Sequence, residues 1–274
     1  MSFDRVRSLL FTPAADEGKL RRGLQAGADA VIWDLEDAVA ASEKRSARAR
    51  VVSLLEEDAE APCLRFVRVN GHGTTEFAED LAALTGAPID GIVLPKATPA
   101  GVAALGSEGP PVLALVESAA GLQFAFETAA SERVEALLFG ALDLAAELAL
   151  GALPDGQELL AFRSQVVLAS AAAGIGGPFD SPYVHVGDPE GLRAECRRSR
   201  ALGFRGKACI HPGQLTVVHE AFAPSAEEFA WAREVVEGFH AAGSGVASIA
   251  GQMVDRPVLE RARRLLEDAE RSRT

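Results

Sequence analysis

Positive charge is the scarcer kind in this chain: 27 lysines and arginines stand against 39 aspartates and glutamates, a formal net charge of −12. That balance disfavours nucleic acid or an anionic membrane as the main partner. It leaves room for an anionic small molecule in a locally positive pocket. Cysteine is sparse as well. Cys63, Cys196 and Cys209 lie far apart with no CxxC spacing. They match neither a zinc site nor a disulfide framework, and they read as reduced thiols in a core. Long apolar runs are missing. "RSLLFTP" (7–13) is too short for a signal-peptide core or a membrane span, so the cytoplasm is the expected compartment. Charged residues at 24% argue against global disorder, and no strong repeat or low-complexity tract stands out.

What the chain does have is 274 residues, 48% of them hydrophobic, enough for one large core. Short runs rich in Val, Ile, Leu and Phe alternate with stretches of helical periodicity. "SLLFTP" (8–13) precedes "EGKLRRGLQAGA" (17–28), "AVIWDLED" (30–37) precedes "SEKRSARARVVSLLEE" (42–57), and "CLRFVRVN" (63–70) precedes "EFAEDLAALTG" (76–86). The pattern continues through "GIVLPKA" (91–97), "PVLALVES" (111–118), "ALLFGALD" (136–143), "PFDSPYV" (178–184) and "GKACIHP" (206–212). The strand runs mostly do not alternate, as expected of parallel strands buried on both faces. Eight βα units in roughly 220 residues predict a (β/α)8 TIM barrel over 1–220. An open doubly wound sheet is the alternative, but no Gly-rich phosphate loop follows an early strand. Residues 221–274 read as a C-terminal helical arm that packs on the barrel or on a neighbouring subunit: one helix (225–243), a small Gly-bearing stretch and a charged helix (259–273).

In a parallel barrel the active site forms at the C-terminal ends of the strands. There the chain places Asp34, Glu36 and Asp37 after the second strand, Arg68 and Asn70 at the third, Lys96 at the fourth, Glu117 at the fifth, Asp143 after the sixth and His211 at the eighth. Clustered carboxylates are costly unless solvated, paired or bound to a cation. A divalent cation is one explanation: Mg²⁺ uses one or two protein carboxylates and keeps waters for substrate to replace. The plainer explanation has Asp34 starting a turn and Glu36 paired with Lys44 or Arg45. For Asp34 the plainer one is preferred; for Glu36 and Asp37 both stand. Asp143, ahead of an apolar helix, also fits an N-cap.

"RSLLFTP", "DLEDAV", "RVN", "VLPKA", "LVESAAGL", "FGALDL", "GKACIHPGQ" and "GQMVDRPVL", in this order and spacing, resemble the citrate lyase β-subunit-like family of the HpcH/HpaI aldolase and malyl-CoA lyase group. The resemblance implies a (β/α)8 barrel, a Mg²⁺ ion and a homotrimer or hexamer. It implies reversible cleavage of a 3-hydroxyacyl thioester (citryl, malyl or citramalyl type) into a 2-oxo acid and an acyl thioester, by way of an enolate. Oxaloacetate, glyoxylate and pyruvate all fit, and the thioester carrier is CoA or an acyl carrier protein. Residue by residue, Glu117 and Asp143 would ligate the metal, and Glu36 and Asp37 would hold its waters. Arg68 would clamp the substrate and stabilise the oxyanion. The turn Gly140–Ala141–Leu142 would offer backbone N–H groups to the substrate carboxylate. Asp255, in "GQMVD", would act as acid–base in the active site of an adjacent subunit; its plain alternative is a helix N-cap two residues before Pro257. Lys96 and His211 are not assigned catalysis, and Arg7 and Lys19 meet either carrier phosphates or water.

Two departures bear on the substrate. Ala120 stands where several relatives carry arginine, and Pro13-Ala14-Ala15 stands where many have "PGN". Two other functions compete: a divalent-metal aldolase acting on free pyruvate and an aldehyde, and a non-catalytic oxo-acid-binding subunit.

Overall fold

Eight short apolar runs become eight parallel strands in a computed structural model that describes residues 5–57, 61–242, 247–249 and 252–271. They are β1 (Ser8–Pro13), β2 (Ala30–Asp34), β3 (Leu64–Arg68), β4 (Gly91–Leu94), β5 (Val112–Val116), β6 (Val134–Phe139), β7 (Phe179–Asp180) and β8 (Gly206–Cys209). Each pairs with its sequence neighbour, and β1 pairs with β8, so the sheet closes. The result is a (β/α)8 barrel. The chain divides into two compact units, residues 1–219 and 220–274.

Alternation along the strands builds the site. Successive strand residues face opposite sides. The inner cluster takes Leu9, Ala30, Ile32, Leu64, Phe66, Val93, Leu113, Leu115, Ala136, Leu138, Phe179 and Ala208. Gly91 leaves inner space that the Phe66 ring fills; a Cβ there would collide with it. Two residues beyond the last inner apolar position on six of the strands come Asp34, Arg68, Glu117, Gly140, Ser181 and Ile210. Period two therefore delivers these six to one layer at the C-terminal mouth.

The intervening helices are α1 (Glu17–Leu24), α2 (Lys44–Glu57), α3 (Thr75–Leu84), α4 (Pro99–Ala104), α5 (Ala119–Gln123), α6 (Ala125–Ala129), α7 (Ala141–Glu147), α8 (Leu160–Ala173), α9 (Pro189–Leu202) and α10 (Leu215–Phe222). Five start on their own capping side chain: Asp16, Thr74, Thr98, Ser118 and Asp188 each accept a first-turn N–H. The helix expected over 121–130 is broken at Phe124, whose φ −109° and ψ 24° are not helical.

The run 178–184 yields a strand of only two residues, because Pro178 and Pro182 flank it and proline gives a ladder no N–H. What β7 lacks in ladder bonds is made up by charge. Asp180, fully buried, accepts from Lys207 Nζ (2.8 Å) and Arg163 Nε (3.0 Å) and from the Ser199 hydroxyl, while Lys207 Nζ reaches Glu195 at 2.6 Å.

The second unit contains α11 (Ala226–Ala242), an antiparallel pair β9 (Ala247–Ile249) and β10 (Gln252–Val254), and α12 (Arg256–Arg271). Ala232, Val235, Val254 and Ala262 form its small core, flanked by Trp231, Phe239 and Leu265. Among the described residues no helix is long and apolar enough to cross a membrane. The three cysteines are free and buried, and burial pushes their thiols up to about 11, 11 and 12 for Cys63, Cys196 and Cys209.

Candidate active site

A cavity of about 290 Å³ opens at the barrel mouth, lined by Asp34, Asp37, Arg68, Glu117, Gly140, Asp143 and Ser181 among polar and small residues. Phe11, Leu115, Leu138 and Phe139 form its apolar floor.

Arg68 is the organising cation. Its Nε and Nη2 grip Asp34 at 2.7 and 2.6 Å, a bidentate fork, and its Nη1 stands 2.9 Å from Glu36 Oε2. β2 and β3 pair Asp34 with Arg68 in register, which makes the fork possible. Burial works against the guanidinium's charge, but Asp34, Glu36 and Glu117 outweigh it, so Arg68 stays firmly cationic. A guanidinium has five N–H donors, so this pairing leaves it capacity for a bound oxygen.

Asp34 thus has two duties. It starts the turn, accepting the Glu36 N–H at 2.9 Å, and it orients Arg68. The second was not visible from its position in the chain. Among the described residues Lys44 pairs with no carboxylate: its ammonium bonds the carbonyls of Leu35 and Glu36 and the Asn70 Oδ1, at 2.6–2.7 Å, and Glu36 pairs with Arg68 and Lys96 instead. Asn70 in turn donates to Asp80, which Arg48 holds at 2.7 Å. These bonds fix the loop that carries Glu36 and Asp37.

Glu117 is buried and accepts the Lys96 N–H at 2.9 Å. That bond needs Lys96 in the left-handed region, φ +46°, an uncommon place for a residue with a Cβ. Burial, then Glu36 and Asp143, push the Glu117 carboxyl up to about 8 against the pull of the Lys96 amide and Arg68. Burial also raises Glu36, with Asp37 and Asp34 adding to it and Arg68 and Lys96 opposing. Lys96 Nζ stands 3.4 Å from Glu36 Oε1 with its side chain half exposed.

Asp143 is not an N-cap. Gly140 occupies that position and Asp143 lies in the first turn of α7, exposed to the cavity. Of the turn's amides, Gly140 N–H donates to Val116 O (2.9 Å) and Ala141 N–H to Ser181 Oγ (3.1 Å). The amides of Leu142 and Asp143 have no carbonyl behind them within the helix, so they are the ones available to an anion. His211 caps a short turn, its Nδ1 accepting Gly213 N–H at 3.0 Å. Asp255 caps α12, its Oδ1 accepting Val258 N–H at 3.2 Å.

The donor set suits a hard cation. Four carboxylates and one guanidinium line the cavity, and Glu36 Oε2 is buried without a directed hydrogen bond. Among the described residues no three acidic, histidine or cysteine side chains converge as a metal cluster. Two carboxylates plus waters is the arrangement Mg²⁺ accepts.

At the opposite end of the barrel Ser8, Asp29 and His219 imitate a hydrolytic triad. Ser8 Oγ lies 2.7 Å from His219 Nε2, and Asp29 Oδ2 lies 3.4 Å from the same nitrogen. A triad needs the acid on the other ring nitrogen and an accessible nucleophile. Ser8 is fully buried, so the group ties β1 to its neighbours.

The family model described as HpcH/HpaI aldolase/citrate lyase matches residues 7–212. The chain belongs to that family. A second model, a C–C bond lyase of the TIM-barrel fold, matches residues 171–271. Among relatives, a (3S)-malyl-CoA thioesterase of Cereibacter sphaeroides is 39% identical over 96% of this chain and 94% of its own. The citrate lyase subunit beta of Escherichia coli K12 is 36% identical over 97% and 94%. CitE of Mycobacterium tuberculosis, solved with magnesium, acetoacetate and coenzyme A, superposes with a TM-score of 0.84 at 36% identity, covering 97% of this chain and 98% of that one. This HpcH/HpaI barrel thus has relatives named for lyase and for thioesterase chemistry.

Proposed function

We propose that this protein is a Mg²⁺-dependent carbon–carbon lyase. It reversibly splits a 3-hydroxyacyl thioester of the citryl, malyl or citramalyl type into a 2-oxo acid and an acyl thioester. The observation that carries the reading is the joining of Glu117, Asp143 and Arg68 in one mouth cavity of small-molecule size. The solved relative that holds magnesium and coenzyme A supports it.

Glu117 and Asp143 would hold the cation, with Glu36 and Asp37 behind it bonding its waters. When bound, Mg²⁺ supplies Lewis-acid polarisation of the 2-oxo acid's oxygens. Arg68, locked by Asp34, presents its remaining N–H groups to the oxygen on which charge develops. The Leu142 and Asp143 amides face the substrate carboxylate. In cleavage a base takes the hydroxyl proton and the new carbonyl forms. The C–C bond pair passes to the carbon next to the thioester, giving its enolate, and Asp255 of a neighbouring copy protonates that carbon. In synthesis the same carboxylate removes the proton. Asp255's cap bond to Val258 occupies one oxygen and leaves the other for this work. The arm over 221–274 delivers it, in a homotrimer or hexamer.

Hydrolysis of the same thioester is the second reading, favoured by relatives named (3S)-malyl-CoA thioesterase. It uses the same cavity, with water taking the acyl group.

The test is deuterium exchange at the acetyl methyl of acetyl-CoA in D₂O, followed by NMR with Mg²⁺ and each of oxaloacetate, glyoxylate and pyruvate. Mg²⁺-dependent exchange or condensation is expected, reduced at least tenfold in Asp255→Asn. Free thiol appearing from a malyl thioester with no exchange selects hydrolysis. Turnover of free pyruvate and an aldehyde alone selects the simple aldolase. Separately, Glu117→Gln is expected to weaken Mg²⁺ binding by calorimetry; equal affinity removes Glu117 from the metal site.

A further inference from the structure

The start of α7 poses a problem of its own. Gly140 there is not free to be a better cap. A Cβ on it would run into the Glu117 Cβ and lie 3.0 Å from Glu117 Oε2 and 3.1 Å from Leu115 Cδ1. Room for the Glu117 carboxylate therefore forbids a capping side chain on the helix that carries Asp143. No side chain of the N-cap residue bonds this helix, in contrast to α1, α3, α4, α5 and α9.

The missing bond comes from another strand. Ser181, buried and on the cavity wall, accepts the Ala141 N–H at 3.1 Å from 40 residues away. Ser181 directly follows Asp180, and Asp180 is gripped by Arg163, Ser199 and Lys207. β7 shares one register pair with β6 and two with β8, so this ion cluster rather than the ladder sets where Ser181 sits.

We propose that Ser181 is a positioning residue: it fixes the start of α7 and so holds Asp143 opposite Glu117 in the geometry the cation requires. The chain of contacts runs from the buried Lys207–Asp180 pair through Ser181 to the Ala141 amide. Asp143 lies two residues further, in the same helical turn. The proposal rests on the reading of Glu117 and Asp143 as metal ligands.

The test uses MgCl₂ alone in calorimetry, together with amide hydrogen exchange of residues 139–144 without metal, on the full-length protein. Ser181→Ala is expected to weaken Mg²⁺ binding about fivefold to tenfold and to speed exchange of the Ala141 amide by a similar factor, the scale of losing one cap. Ser181→Thr, which keeps the acceptor, is expected to restore both. Unchanged exchange overturns the cap, and faster exchange with unchanged Mg²⁺ affinity overturns its link to Asp143. If wild-type protein binds no Mg²⁺, the metal reading falls and this proposal with it, while the exchange data still tell whether Ser181 caps α7. Should Ser181→Ala not fold, Ser181→Cys carries the same comparison, since a thiol is a weak acceptor of similar size.

Discussion

Gly140 shows how closely single residues are matched at this mouth. Its φ of −105° is open to any amino acid, so the backbone gives no reason for glycine there. The reason is Glu117, whose side chain occupies the space a Cβ would take. Gly140→Ala is therefore expected to displace the Glu117 carboxylate while leaving the helix its dihedral angles. Overpacking of this kind costs about 1–3 kcal/mol, and here it falls on an oxygen proposed to hold the cation. Mg²⁺ affinity by calorimetry should drop at least about tenfold, with catalysis falling further because misplacement by an ångström costs rate steeply. A Gly140→Ala protein with wild-type Mg²⁺ affinity would show that Glu117 can move aside and still ligate. Arg68 makes the complementary point. Its fork on Asp34 and its contact with Glu36 use up charge that would otherwise repel in the same few ångströms. Removing either partner leaves a buried ion with less than its full set of partners.

At the scale of the element, β7 depends on ionisation: its Asp180 is held by Lys207 and Arg163. Burial alone would raise the Asp180 carboxyl, but Lys207 and Arg163 outweigh it and hold it far below the usual range. A carboxyl depressed in the folded state contributes its full stability above its unfolded value, about 3.9, and loses it progressively as pH falls from there toward the depressed folded value. Asp180→Asn removes the contribution and leaves Lys207 with Glu195 as its remaining acid. At pH 7 the variant should be less stable by about 3–5 kcal/mol, the usual result of breaking a buried pair. Below pH 4 the melting curves of variant and wild type should approach each other. A gap that stays constant down to pH 3 would place the acid sensitivity elsewhere. Seven strands were legible because their branched, apolar runs end in polar residues at the mouth. β7 was overestimated because what holds it comes from Arg163, Glu195 and Lys207, far apart in sequence. The same distance hid two pieces of the site. The Asp34–Arg68 fork depends on the β2–β3 register, and the Ser181–Ala141 bond spans two strands and a helix. The strand-end positions of Glu117, Arg68 and Asp143 were legible from the apolar runs that lead to them, and the roles proposed for them came from the family resemblance.

Charge at the scale of the whole molecule sets the order in which ligands can enter. The chain carries −12, and its mouth repeats that excess: among the described lining residues Asp34, Asp37 and Asp143, joined by Glu117 once it ionises, face one cation, Arg68. A 2-oxo acid is an anion, and no anion enters such a cavity cheaply until the excess is relieved. Lys96 at the rim is already turned toward Glu36, where Glu36 and Glu117 keep it charged in spite of some burial. The cation is therefore expected to bind first and the oxo acid second. By linkage the oxo acid then raises Mg²⁺ affinity by the factor by which Mg²⁺ raises its own. Calorimetry of pyruvate, glyoxylate and oxaloacetate should show affinity at least about tenfold weaker in EDTA than in Mg²⁺, a coupling of about 1.4 kcal/mol. Thermal melting gives a second view. Mg²⁺ at a hundred times its Kd adds about 2.7 kcal/mol, and an oxo acid should raise the midpoint further only when Mg²⁺ is present. If an oxo acid binds equally well in EDTA, Arg68 and the Leu142 and Asp143 amides hold it unaided, and the metal serves the bond-breaking step rather than recognition.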